Sequence, residues 1–208
     1  MTRKIKALGL ALVASLALSV VGVSAASAAE FHSTSSHTLL SAGQTTAHTF
    51  TVGSGFGAIK CATAEFKGTS AATTTKEQSV EPHYTNCTDS FGRVVDVNDN
   101  GAVYRFTNDN TVHVEVPGGA KIELKVTSGG STVCTVTVAS QTNSKVSYST
   151  SGSGVLVSSE VTNVSTTTSG GFFNCGVSDG AHTGGSYTGS SLTTGTNTEG
   201  KAVTLSYN

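Results

Sequence analysis

Gly176-Val177-Ser178-Asp179-Gly180 reproduces G-x-S-x-G, the turn that lifts a nucleophilic serine from a strand–helix junction in α/β-hydrolases. That chemistry needs an acid and a histidine later in the chain. Downstream of Ser178 the acids are Asp179 and Glu199, and the only histidine is His182. No helical periodicity follows, so the ordered triad cannot be assembled, and Asp179-Gly180 reads as a turn beside Cys175. Asp96-Val97-Asn98-Asp99-Asn100-Gly101 begins like a calcium loop, but Thr107 stands where a bidentate glutamate belongs. Asn100-Gly101 between two strand-like runs is a type I′ hairpin signal. The competing reading is a weak extracellular Ca²⁺ site built from Asp96, Asn98 and Asn100.

The remaining polar candidates select nothing. His32, His37, His48, His83, His113 and His182 lie in separate segments without zincin spacing and read as surface residues, the first two near a frayed N-terminus. Glycoside hydrolysis needs two carboxyl groups brought together. Glu65, Glu81, Glu115, Glu123, Glu160 and the aspartates are available, but their spacing singles out no pair. With no Trp, sugar stacking falls to Tyr84, Tyr104, Tyr148, Tyr187, Tyr207 and the phenylalanines. Phe172-Phe173, in a Gly-rich loop before Cys175, reads as a plug beneath a disulfide, with an exposed contact patch as the alternative. No catalytic residue, resident metal or cofactor is assigned.

Elements must position whatever site exists, and the first thirty residues bear on where they fold. Arg3, Lys4 and Lys6 precede an apolar run over 7–23, and Ala26-Ser27-Ala28 fits an A-x-A cleavage signal. Residues 1–29 read as a secretory signal peptide, with cleavage after Ala28 or Ala29 both fitting; an uncleaved anchor is the alternative. The exported region is then 30–208, secreted to the extracellular side, with no membrane span in the mature form. Residues 1–29 contain three of the twelve basic residues and none of the thirteen acidic ones, so the remainder carries a formal charge of −4. That balance excludes nucleic acid and anionic membrane as electrostatic partners.

Cys61, Cys87, Cys134 and Cys175 are an even set in an exported chain, which favours two disulfides, and no C-x2-C spacing supports zinc. Three pairings are open. Pairing neighbours would close loops of 26 and 41 residues, each contributing roughly 3.5–4 kcal/mol on the chain-entropy model.

Ser, Thr, Val and Gly dominate, and strand-like runs recur every 8–12 residues between turn residues. In Lys121-Ile122-Glu123-Leu124-Lys125-Val126 apolar and charged residues alternate throughout. Around Asn108-Asp109-Asn110, pairing residues whose numbers sum to 218 sets Phe106 opposite Val112, Tyr104 opposite Val114 and Ala102 opposite Val116 on one face. Arg105 then meets His113, and Val103 meets Glu115, on the other; a slip of one would mix the faces. Ser140–Asn143 and Ser190–Gly200 read as loose, and Gln141–Ser144 marks a possible internal boundary near 140–145. The expected architecture is an all-β antiparallel sandwich, Ig-like or jelly-roll-like, with two disulfides and two packed halves as a variant.

Several short motifs share one pattern: Cys61-Ala62-Thr63-Ala64-Glu65-Phe66-Lys67-Gly68, Pro82-His83-Tyr84-Thr85-Asn86-Cys87-Thr88, Asn100-Gly101-Ala102-Val103-Tyr104, Pro117-Gly118-Gly119, Cys134-Thr135-Val136-Thr137-Val138, and Gly185-Ser186-Tyr187-Thr188-Gly189 after Cys175. Over roughly residues 45–190 the chain resembles a family of uncharacterised, secreted, disulfide-containing β-rich proteins common in actinobacteria. That family's pattern has two further cysteines where this chain has Ala102 and Val116, opposed in the register above. The resemblance implies the pairing Cys61–Cys87 and Cys134–Cys175 and brings no activity or catalytic residues.

The expected role is a non-enzymatic extracellular or cell-envelope protein, binding or structural, with cell-wall glycan or another extracellular protein as candidate partner. The alternative is a secreted carbohydrate-binding module or a polysaccharide or peptide hydrolase.

Overall fold

Alternation of apolar and polar residues builds a curved wall. The computed structural model describes residues 29–53, 55 and 57–208; the expected signal segment, apart from Ala29, lies outside the described residues. Among those residues are sixteen strands. The first eight are β1 (Phe31–Ser33), β2 (Thr38–Thr51), β3 (Ile59–Ser70), β4 (Thr74–Thr75), β5 (Glu77–Thr88), β6 (Val94–Asn98), β7 (Val103–Thr107) and β8 (Thr111–Glu115). The others are β9 (Ile122–Ser128), β10 (Ser131–Val138), β11 (Gln141–Ser144), β12 (Val146–Ser151), β13 (Gly154–Ser169), β14 (Gly180–Thr196), β15 (Ala202–Val203) and β16 (Leu205–Tyr207). One helical turn, α1 (Phe172–Cys175), separates β13 from β14. In β9 Ile122, Leu124 and Val126 are buried while Glu123 and Lys125 are not, as their alternation requires.

Eight strands pair antiparallel in chain order, β2–β3–β5–β6–β9–β10–β13–β14, and β14 returns to β2. The main sheet is therefore a closed eight-stranded barrel, which corrects the expected sandwich. Period-two alternation reveals that one face is buried; it does not reveal whether that face meets a second sheet or curls round onto itself. The seam that decides is β2 against β14, with ten residue pairs from Thr51–Ser186 to Leu39–Thr196. Both strands are rich in Ser, Thr and Gly, and much of the stretch expected to be loose at 190–200 belongs to β14. Backbone pairing on both sides, rather than side-chain hydrophobicity, holds this strand in place.

A second circuit rides on the first. The hairpin β7–β8 leaves the barrel at β5, β8 pairs with β11, and β12 rejoins at β13. β11 and β12 form one path kinked at Lys145, whose φ is 71°. Gln141–Ser144, expected as a boundary, thus lies inside this circuit as a strand. The register of the β7–β8 hairpin is the expected one from Phe106–Val112 to Val103–Glu115, and the flanking Ala102 and Val116 are both buried. Residues near the expected frayed N-terminus are likewise ordered: Phe31–Ser33 pairs with β16 and β4 in a small three-stranded sheet.

Inward positions carry Val, Ile, Leu, Phe and Tyr and outward positions Ser, Thr, Lys and Glu, the reverse of barrels whose walls meet lipid. Two disulfides fasten the lower circuit. Cys61–Cys87 joins directly opposed positions of β3 and β5, and Cys134–Cys175 ties β10 to α1.

Candidate functional site: the barrel interior

The buried side chains fall into two apolar clusters. One is centred on Val52, Ile59, Val126 and Val136, the other on Leu40, Ala42, Ala64 and Phe66. Tyr84 and Tyr104 pack against both. A cavity of about 140 Å³ runs between them, and its lining includes Leu40, Ala42, Phe50, Phe66, Val157, His48, Tyr84, Tyr104, Tyr187 and Ser191. No Asp, Glu, Lys or Arg is among the lining residues.

Polar groups meet at this waist. Tyr84 Oη lies 2.8 Å from Tyr187 Oη and donates to Tyr104 Oη at 3.4 Å. His48 Nδ1 is 2.5 Å from Tyr187 Oη, and Nε2 is 2.9 Å from Ser191 Oγ. Local irregularity aims the histidine. β2 bulges between Gly43 and Thr49 against β3, and its register against β14 shifts twice over the same stretch, a re-aiming device common beside functional sites. Gln44 Nε2 donates to Ala62 O at 2.6 Å, replacing backbone pairing lost at the bulge. Gly189 leaves room for the ring: a Cβ there would sit 2.6 Å from His48 Nδ1.

Burial sets the protonation states. Desolvation lowers the pKa of His48, against a smaller raising effect of the backbone at Ser190. Desolvation also holds Tyr84 and Tyr187 well above the usual phenol value and pushes Tyr104 up to about 12. At neutral pH the cluster is therefore uncharged, a set of hydroxyl and imidazole groups in an apolar chamber.

These placements revise the sequence reading. His48, expected at the surface, is 5 % exposed. Of the tyrosines left as stacking candidates, Tyr84, Tyr104, Tyr148 and Tyr187 line the cavity, and Tyr148 and Tyr207 pack against Phe31 with ring centroids 4.9 and 5.0 Å away. The signal for His48 was available, since it shares strand parity with Phe50 and Val52. Phe172 and Phe173, expected as a plug, are 63 % and 101 % exposed, which overturns the plug and leaves them as an exposed aromatic pair. The disulfide at Cys175 anchors the turn that carries them.

The motif residues serve as turns. Gly176 ends α1 with φ 72°, Asp179 Oδ1 accepts from the Gly171 N–H at 2.7 Å, and Ser178 O accepts from Thr168 Oγ1. Asn100 and Gly101 both have positive φ, 52° and 74°, as a type I′ turn requires. There Asn98 Oδ1 accepts from the Asn100 N–H, and Asn100 Nδ2 donates to Lys121 O, while Asp96 stands opposite Lys125.

Fold and site define a class: a disulfide-bonded, up-and-down antiparallel barrel with an apolar interior and a neutral hydroxyl–imidazole cluster at its waist. No protein-family model, curated protein or solved structure matches the chain.

Proposed function

We propose that this is an exported, non-enzymatic binding protein whose barrel holds one small, uncharged, largely apolar molecule. The observation that carries the reading is the cavity of about 140 Å³ with five polar side chains at its waist and no carboxylate, ammonium or guanidinium in its lining. Eight-stranded barrels are wide enough either to fill with side chains or to hold one small ligand, and apolar sites of this size accept molecules about as large as benzene. A neutral cluster orients such a ligand without the acid–base pair that hydrolysis needs. Export is supported by the N-terminal sequence pattern and by the two disulfides, which persist in oxidising compartments. No helix among the described residues is long and apolar enough to cross a membrane.

Thermal denaturation of the oxidised protein with benzene, phenol, cyclohexanone and benzyl alcohol tests the reading. A ligand at one hundred times its Kd stabilises by about 2.7 kcal/mol, which raises Tm by roughly 5–10 °C for a chain of this size. If none of the four moves Tm, the chamber is packing space and the reading is wrong.

A further inference from the structure

The hydrogen bonds at the waist have a direction. At the 3.4 Å contact the geometry makes Tyr84 the donor and Tyr104 the acceptor. A phenol has one hydrogen, so the 2.8 Å contact between Tyr84 and Tyr187 must be a donation from Tyr187. That uses the Tyr187 hydrogen, and the contact with His48 is then donation from Nδ1–H. A neutral imidazole with its proton on Nδ1 accepts at Nε2, where Ser191 Oγ is the donor. Four donations therefore run one way, from Ser191 through His48, Tyr187 and Tyr84 to Tyr104. Tyr104 accepts the last and keeps its own hydrogen, for which no acceptor among the described residues lies in reach. Its ring lines the cavity and packs 6.3 Å from that of Phe66.

We infer that the Tyr104 hydroxyl is the donor that recognises the ligand, which is a compact uncharged molecule bearing one hydrogen-bond acceptor, a ketone or ether oxygen, on an apolar frame. This rests on the reading of the cavity as a ligand site. An unpaired donor in apolar surroundings penalises a ligand without an acceptor, and the one-way chain polarises the terminal O–H through its neighbours.

Cyclohexanone and its isostere methylenecyclohexane differ at the one atom that matters. Binding of both by the wild type and by Tyr104→Phe, measured calorimetrically, separates hydrogen bonding from size. Tyr104→Phe is expected to weaken cyclohexanone about three- to tenfold and to leave methylenecyclohexane within about twofold. Equal changes for the two probes would overturn the inference and leave the cavity reading standing; no binding of either by the wild type would overturn both. Because loss of the hydroxyl could impair folding, the infrared carbonyl stretch of cyclohexanone bound to the wild type is the second readout. A stretch lowered from its position in hydrocarbon solvent supports the donor, and an unshifted one sinks it.

Discussion

His48 is the residue on which the waist depends. Its two nitrogens meet hydroxyls, Tyr187 Oη and Ser191 Oγ, and it is the apolar burial of the ring, not a missing partner, that favours the neutral form. Its folded pKa lies below the ordinary value of about 6.5 because burial disfavours the cation. On acidification the unfolded chain therefore takes up the proton first. Stability from this group is fully present above about pH 6.5 and declines as pH falls from there towards the folded pKa, by at most about 1.4 kcal/mol per pH unit. We expect the wild-type Tm to fall between pH 7 and 5 more steeply than that of His48→Gln, which keeps a donor and an acceptor but cannot ionise. Parallel pH profiles would show that His48 does not titrate as its burial requires. Tyr104 was legible at this scale, since the hairpin register placed it on the core face before any coordinate. His48 was legible only through its parity with Phe50 and Val52, because histidine in a Thr-rich run carries no apolar signal.

At the scale of elements, the β7–β8 hairpin and β9 were readable because each sorts its apolar and charged residues onto opposite faces. β14 was obscure for the opposite reason: Gly180–Thr196 contains few residues that prefer either face, and its conformation is imposed by two neighbouring strands. The cysteines were readable as a set, and their pairing follows from β3 lying against β5 and from α1 lying near β10. Both bridges close long loops, of 26 and 41 residues, together contributing about 7 kcal/mol to stability on the chain-entropy model. Reducing both is expected to lower Tm by well over 10 °C, measured by circular dichroism with and without reductant. An unchanged melt would mean that the barrel holds without them.

For the whole molecule, the informative fact is that β2, β3, β5, β13 and β14 serve both circuits, whereas β6, β9 and β10 serve only the lower and β7, β8, β11 and β12 only the upper. Breaking a shared strand opens both circuits, so such strands should exchange last. Amide hydrogen exchange is expected to be slowest in β3 and β14 and faster in β7, β8 and β12. The reverse order would make the upper circuit the stable unit. Architecture at this scale was the least legible of all, because closure is a property of strand curvature and seam pairing that no local pattern encodes.

The β2–β14 seam, which joins residues such as His48 and Tyr187 that are 139 positions apart, also orders events in time. A chain delivered from its N-terminus presents β2 long before β14 exists, and for that interval one flank of β2 has no partner. Meander pairing can advance strand by strand as the chain emerges, yet the chamber cannot close until residue 196 has arrived. A chain of this design must hold an open sheet edge, a template for misassembly with a neighbouring copy, until delivery is nearly complete. The sparse hydrophobicity of β2 and β14 then has a use during biogenesis: an unclosed edge made of Ser, Thr and Gly recruits strangers less readily than one made of Val and Ile.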